Sequence, residues 1–152
     1  MTYRNTLSSA REFAAAGRLE EWVHAYLLSD GRNEPFSVGL KRCGRSWFGP
    51  LMLPAARLER CCGPEEGMRF RVEAQGFEAH VAQLRAAIAA GEDMPPLIVN
   101  YAAGGYVLND GNHRFEAYRR LRAQECAAIV WTTGAEDAAA FAALAQRPVP
   151  ER

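Results

Sequence analysis

At 152 residues and 16.8 kDa the chain is sized for one domain, and with 49% apolar and 24% charged residues it suits a packed core rather than a disordered segment. Its 18 basic residues balance its 18 acidic ones, so it lacks the cationic excess with which a general nucleic-acid binder displaces counterions from phosphates. No apolar run approaches the roughly 18 residues of a membrane span, and the polar start Met1-Thr2-Tyr3-Arg4-Asn5 lacks the apolar core of a signal peptide, so a cytoplasmic location is the expectation.

Ser9-Ala10-Arg11-Glu12 fits a capping box opening a short helix, with Gly17 placed to end it. Leu19, Trp22, Val23, Tyr26 and Leu27 then recur at the spacing of one helical stripe, stopped by the turn cluster Ser29-Asp30-Gly31-Arg32-Asn33. Residues 34–50 read as irregular, with Trp47-Phe48-Gly49-Pro50 as an apolar loop. Leu51-Met52-Leu53 reads as a short strand, residues 54–58 as a helical turn, and Cys62 to Gly67 as a loop with turn chemistry. Phe77, Val81, Leu84 and Ile88 share one face of a helix that Gly91 ends. Pro95-Pro96 leads into a strand over Leu97–Tyr101, Ala102-Ala103-Gly104-Gly105 makes a hairpin loop, and Tyr106-Val107-Leu108 returns. Asn109-Asp110-Gly111-Asn112 turns the chain into a helix carrying Phe115, Tyr118 and Leu121. Ala128-Ile129-Val130-Trp131 is the last strand. Thr133-Gly134-Ala135-Glu136 is a second capping-box pattern, opening an Ala-rich helix that Pro148 and Pro150 end. Strands and helices mixed in this order predict a small α+β domain.

Lys41 is the only lysine among the 18 basic residues, and alanine is abundant. This bias reads as bacterial base composition rather than as phosphate binding. The four cysteines, at 43, 61, 62 and 126, contain no C-x-x-C pair, and the adjacent Cys61 and Cys62 are poorly placed to bond each other. They are expected to be reduced and mostly buried.

The stretch richest in chemistry is Tyr106 to Arg122, where a strand runs into a polar glycine turn and the turn opens a helix. The first amides of such a helix have no intrahelical partner, and with the helix dipole they attract an anion. Gly111 permits close approach to the backbone, and His113 and Arg114 add donors at the same end. Asp110 and Asn112 are candidate ligands for a Mg²⁺ that neutralises phosphate. The same residues also serve as ordinary helix caps. His24 and His80 read as core-edge or surface residues. Arg119, Arg120 and Arg122 read as a solvated face, and Trp22, Tyr26, Trp47, Phe48 and Trp131 as core rather than a stacking platform.

An ordered set of features surrounds this motif. It runs from Leu-Pro after a short strand through a Gly-Pro loop, a helix, Pro-Pro-Leu-Ile-Val and a glycine hairpin. Val-Leu-Asn-Asp-Gly-Asn-His-Arg, a second helix and Ile-Val-Trp complete it. In this order the chain resembles the ParB/sulfiredoxin-like superfamily over roughly Leu51 to Trp131. The resemblance implies a small mixed-sheet α+β domain over residues 51–152, with residues 1–50 as an added helical N-terminal segment. It implies that Gly111, Asn112, His113 and Arg114 form a Gly-x-x-Arg box that binds the phosphates of ATP or another nucleotide. Within that box Arg114 clamps phosphate oxygens and His113 donates a hydrogen bond or shuttles a proton. Asp110 or Glu65 holds Mg²⁺ or serves as base; Glu65 and Glu66 lie in the loop Glu59–Gly67, which lines the site in relatives. Glu116, three residues after His113, is read as orienting an arginine or facing solvent.

Where sulfiredoxins carry the reactive cysteine of their box this chain has Asn112, so sulfinic-acid repair is not expected. Chromosome-partition members carry Glu-Arg-Arg there and a helix-turn-helix domain after the fold, for which the stretch after Trp131 is expected to be too short. Free-serine kinases of the superfamily have a His-Arg box closer to this one. The expectation is a nucleotide-binding protein, acting as an ATP-dependent phosphotransferase on a small molecule or a protein. A non-catalytic nucleotide-gated or protein-binding regulatory module is the alternative, and nuclease or DNA-binding activity stands third.

Overall fold

Leu97, Ile98 and Val99 are consecutive and all fully buried, so the strand that carries them is apolar on both faces and its sheet must be covered on both sides. In the computed structural model, which describes residues 1–146, helices on each face meet that demand. The chain runs through helices α1 (Leu7–Ala15), α2 (Leu19–Leu27) and α3 (Glu34–Leu40) into strand β1 (Arg45–Pro54) and a 3₁₀ turn (Ala55–Arg57). The short strands β2 (Cys62–Gly63) and β3 (Phe70–Arg71) pair in parallel ahead of helix α4 (Ala74–Ala89). The hairpin β4 (Leu97–Ala102) and β5 (Gly105–Asp110) leads into α5 (Asn112–Arg120), β6 (Glu125–Thr133) and α6 (Ala135–Ala145).

The fold is α+β, with a mixed sheet in the order β1-β6-β4-β5. The central strand β6 is antiparallel to β1 and parallel to β4, and β5 returns antiparallel to β4. Alternation along the central strands sorts the core. Ile98, Ile129 and Trp131 pack with Phe13, Trp22, Val23 and Leu27 of α1 and α2. Leu97, Val99, Ala128 and Val130 pack with Phe115 of α5 and Phe141 of α6. The N-terminal helices are therefore one full cover of the sheet. Phe77 and Val81 of α4 meet Ala117 of α5 in a smaller cluster, which ties α4 to the helix carrying the polar motif.

The stripe of α2 is buried at all five expected positions, and α4 and the hairpin fall where the sequence places them. Other elements correct the sequence reading. Thr6, not Ser9, caps α1: the Ser9 N–H donates to Thr6 Oγ1 and the Arg4 N–H to Ser9 Oγ. Residues 34–50 are ordered, because Asn33 caps α3, Pro35 sits in its first turn, and β1 begins at Arg45. Trp47-Phe48-Gly49-Pro50 lies within β1, an edge strand whose register shifts between Phe48 and Leu51 and so accommodates the proline; the Gly49–Pro50 peptide is cis. Thr133 ends β6 and binds Arg45 instead of capping α6, whose N-cap is Gly134. All four cysteines are free, but of them Cys126 alone is buried; Cys43 is exposed and Cys61 and Cys62 are partly exposed. Pro148 and Pro150 lie outside the described residues. Among the described residues no helix is long and apolar enough to cross a membrane.

Candidate functional site

Strand β5 delivers Asn109 and Asp110 to the sheet's end, and Gly111 turns the chain at once into α5. The turn needs a φ of +96°, and a Cβ here would also meet the Leu97 side chain at 2.5 Å, so glycine is required on both counts. Because α5 begins at Asn112, the amides of Asn112, His113 and Arg114 have no carbonyl within the helix to bind, and Phe115 N–H makes the first bond, to Gly111 O. These amides stand at a cleft of about 820 Å³. Asp110, Gly111, Asn112, His113 and Arg114 all line it. It is also lined by Tyr26, His80 and the α2–α3 turn at Ser29–Arg32.

Each side chain of the motif has a defined task. Asn112 faces the preceding loop: its Oδ1 accepts from the Cys61 N–H (2.8 Å) and the Cys62 N–H (3.2 Å), tying that loop to the start of α5. Arg114 is buried. Its Nη1 donates to the Tyr26 hydroxyl (3.2 Å), and its Nη2 donates to Pro96 O (3.2 Å) and Asp110 Oδ2 (3.3 Å). The Tyr26 hydroxyl donates in turn to the same Asp110 oxygen at 2.7 Å. Burial pushes the Tyr26 phenol up to about 12, with the Asp110 charge adding to the rise, so it stays a donor. Arg114 Nε is buried with no partner among the described residues. The His113 ring lies 4.9 Å from Phe77 and 4.4 Å from His80 between centroids. Burial lowers both imidazoles below their ordinary value, and the positive Arg114 lowers each further, so both favour the neutral form near neutral pH.

Glu65 is not among the residues lining this cleft. Its carboxylate is engaged by both Arg60 Nη atoms, at 3.1 and 2.6 Å, and that pairing holds it below the usual carboxylate range. Glu116 is buried rather than solvent-facing and binds Arg60, Arg119 and Arg120. Arg119 and Arg120 lie on an exposed face, as expected, and from there both also pair with this acid. Among the described residues no group of three or more His, Cys, Asp or Glu side chains is arranged to hold a metal ion.

A family model, the ParB N-terminal domain, matches residues 68–146, more than half of the chain. The chain belongs to this family. Among solved structures this ParB-like domain is similar to sulfiredoxin from Arabidopsis thaliana, at 22% identity over 60% of this chain and 96% of that one, with a TM-score of 0.40. It is also similar to a C-terminally truncated chromosome-partitioning protein ParB from Caulobacter crescentus, complexed with CTP-γ-S. There the identity is 17% over 71% of this chain, and the TM-score is 0.36. The chain spans 56% of that ParB chain. No curated protein matches it.

Tyr26 and His80 are among the residues of the ParB-like cleft that the sequence reading did not place there. His80 is exposed, as the sequence suggests, but it lines the cleft beside His113, and only the packing of α4 on α5 places it there. Tyr26 reads as core from its place on the α2 stripe, and its ring is indeed buried. Its hydroxyl, which reaches Asp110 across 84 residues of chain, leaves no trace in local sequence.

Proposed function

We propose that this ParB/sulfiredoxin-like domain binds a nucleotide by its phosphates at the start of α5. The observation that carries the reading is the set of free amides at Asn112–Arg114 on the floor of a cleft of about 820 Å³. Amides without a partner at a helix N-terminus attract phosphate oxygens. The volume falls in the range of small-molecule sites and exceeds what a lone phosphate needs. The Gly111-Asn112-His113-Arg114 box is the one that binds nucleotide phosphates in the superfamily the chain resembles. Mg²⁺ would arrive with the nucleotide, held chiefly by phosphate oxygens and water, with Asp110 at the cleft as a carboxylate partner. Phosphoryl transfer needs a base beside the reacting phosphate. Glu65 is held by Arg60 away from the cleft, and Asp110 is held by Tyr26 and Arg114. That arrangement favours a nucleotide-binding module over a phosphotransferase.

The test is thermal melting of the full chain with millimolar ATP, ADP and CTP, each with Mg²⁺. A nucleotide at 100 times its Kd stabilises the native state by about 2.7 kcal/mol, a shift of several degrees for a domain of this size. At least one nucleotide should raise the melting temperature, and Glu65→Ala should leave that shift unchanged. Chromatography after prolonged incubation should recover the nucleotide intact. No shift with any of the three overturns the reading, and steady release of diphosphate restores the phosphotransferase.

A further inference from the structure

We propose that Arg32, in the turn between α2 and α3, is the cation that anchors the ligand's phosphate in this cleft. The N-terminal helical layer, outside the family match at 68–146, thereby completes the site. The proposal rests on the phosphate reading of the cleft given above and adds its charged anchor.

Two arginines line the cleft, Arg114 and Arg32. Arg114 is already committed. Both of its Nη atoms are bonded within the protein and its charge is matched by Asp110 at 3.3 Å. A guanidinium held this way stiffens the wall, and its charge is already matched before any phosphate arrives. One donor of the cluster nonetheless lacks an acceptor: Arg114 Nε is nine-tenths enclosed with the rest of its residue and unpartnered among the described residues. A buried donor without an acceptor beside free helix amides marks a site that expects an oxygen ligand.

Arg32 has the opposite character. It is exposed, lines the same cleft, and makes no ion pair among the described residues. Its guanidinium fork is free for the bidentate contact that suits phosphate. Its backbone is fixed. The Gly31 N–H donates to Tyr26 O and the Asn33 N–H to Leu27 O, both at 2.8 Å. A Cβ at Gly31 would meet the Tyr26 ring at 2.6 Å, so the turn packs on the same ring whose hydroxyl braces Asp110 and Arg114. Arg32 itself adopts φ +47°, a left-handed backbone uncommon for arginine.

The remaining charges at the cleft make this cation necessary. Asp110 is offset by Arg114. Asp30 lines the cleft too, with its Oδ2 accepting from the Tyr3 hydroxyl, and it opposes an anion. His80 and His113 are held toward neutrality by burial. An unpaired positive charge in the turn is what lets a polyanion settle beside Asp30.

The experiment is calorimetric titration of the full chain with inorganic tripolyphosphate, ATP and CTP, comparing it with Arg32→Asn, Arg32→Lys and Asp30→Asn. Asparagine tolerates the left-handed backbone, so Arg32→Asn removes the charge and keeps the turn. Losing one charge-assisted contact should weaken tripolyphosphate and the bound nucleotide by roughly tenfold to a hundredfold, with the ligand-free melting temperature unchanged. Arg32→Lys should retain part of the affinity, and Asp30→Asn should tighten it. Unaltered affinity in Arg32→Asn, or an equal loss in Arg32→Lys, overturns the role of Arg32 while leaving the phosphate site standing. Failure of the unaltered chain to bind any of the probes overturns both.

Discussion

Asp110 and Glu116 are carboxylates six positions apart, one just before α5 and one in its middle, and each is held by arginine. Around Glu116 the charges close on one another. Oε1 accepts from Arg60 Nε and Arg119 Nη1, and Oε2 accepts from Arg120 Nε. Arg60 and Arg120 then pass to Glu65 and Glu78, and Arg60 also lies 4.9 Å over the Phe77 ring. Both carboxylate oxygens have protein donors, so this cluster has no vacancy for a ligand. Around Asp110 the accounts stay open. Its carboxylate and Arg114 neutralise each other, yet three helix amides and Arg114 Nε lack acceptors among the described residues in the same place. A buried charge cluster that satisfies itself locks elements together. One that leaves donors unmet beside a cleft is prepared for an added anion. The helix carries one of each.

The largest effect expected from this contrast is on stability at the closed cluster. Glu116→Gln removes one of the two carboxylates paired with the Arg60 guanidinium, which is only 9% exposed. Breaking a buried pair of this kind costs about 3–5 kcal/mol. Urea unfolding should show a loss near the lower end, since Arg119 is itself exposed and Arg60 keeps Glu65. Nucleotide affinity of the folded fraction should hardly move; a large loss of affinity would mean the two clusters act as one. Tyr26→Phe tests the open cluster. It removes the hydroxyl that donates to Asp110 and accepts from Arg114, leaving two buried charges each short of one bond. Losing such a partner costs about 1–3 kcal/mol. Here stability and nucleotide affinity should fall together, because α2 braces the residues beside the free amides. Full affinity in a destabilised Tyr26→Phe would uncouple the N-terminal layer from the site.

The two clusters were unequally legible. Asp110 to Arg114 announce themselves because a strand, a glycine turn and a helix start are contiguous in sequence, and the anion site is built from that local geometry. Glu116 does not, because burial comes from Arg60 and from α4, brought in by tertiary packing. Tyr26 occupies a stripe position that reads alike whether its side chain fills the core or tips its polar end into a cleft, and exposed His80 reaches the cleft only through the packing of α4 on α5. Arg32 carries no periodic signal, since its value depends on a turn folding back over α5. In the scaffold, elements with strong periodicity were readable: the α2 stripe, the α4 stripe and the hairpin at Ala103-Gly104. Helix α3 is too short for a clear period. In β1, Gly49-Pro50 reads as a loop although an edge strand with a bulge tolerates it.

The smallest expected effect is the pH dependence, and it too separates open from closed. Burial holds His24, His80 and His113 below the ordinary imidazole value of about 6.5, with Lys41 adding to the effect on His24 and Arg114 on the other two. Above that value neither the folded nor the unfolded chain protonates these rings, and their stability contribution is fully present. As pH falls below it, the unfolded chain takes up protons first, so stability declines until the folded-state values are reached. Urea midpoints should drop between pH 7.5 and 5.5, and His113→Gln should flatten part of that drop. A bound phosphate reverses the sign at the cleft alone. Its negative charge stabilises the protonated rings of His80 and His113, so tripolyphosphate affinity should rise as pH falls through the same window, while His24, outside the cleft lining, adds nothing to that trend. An affinity independent of pH would place the phosphate away from both rings, and so away from the start of α5.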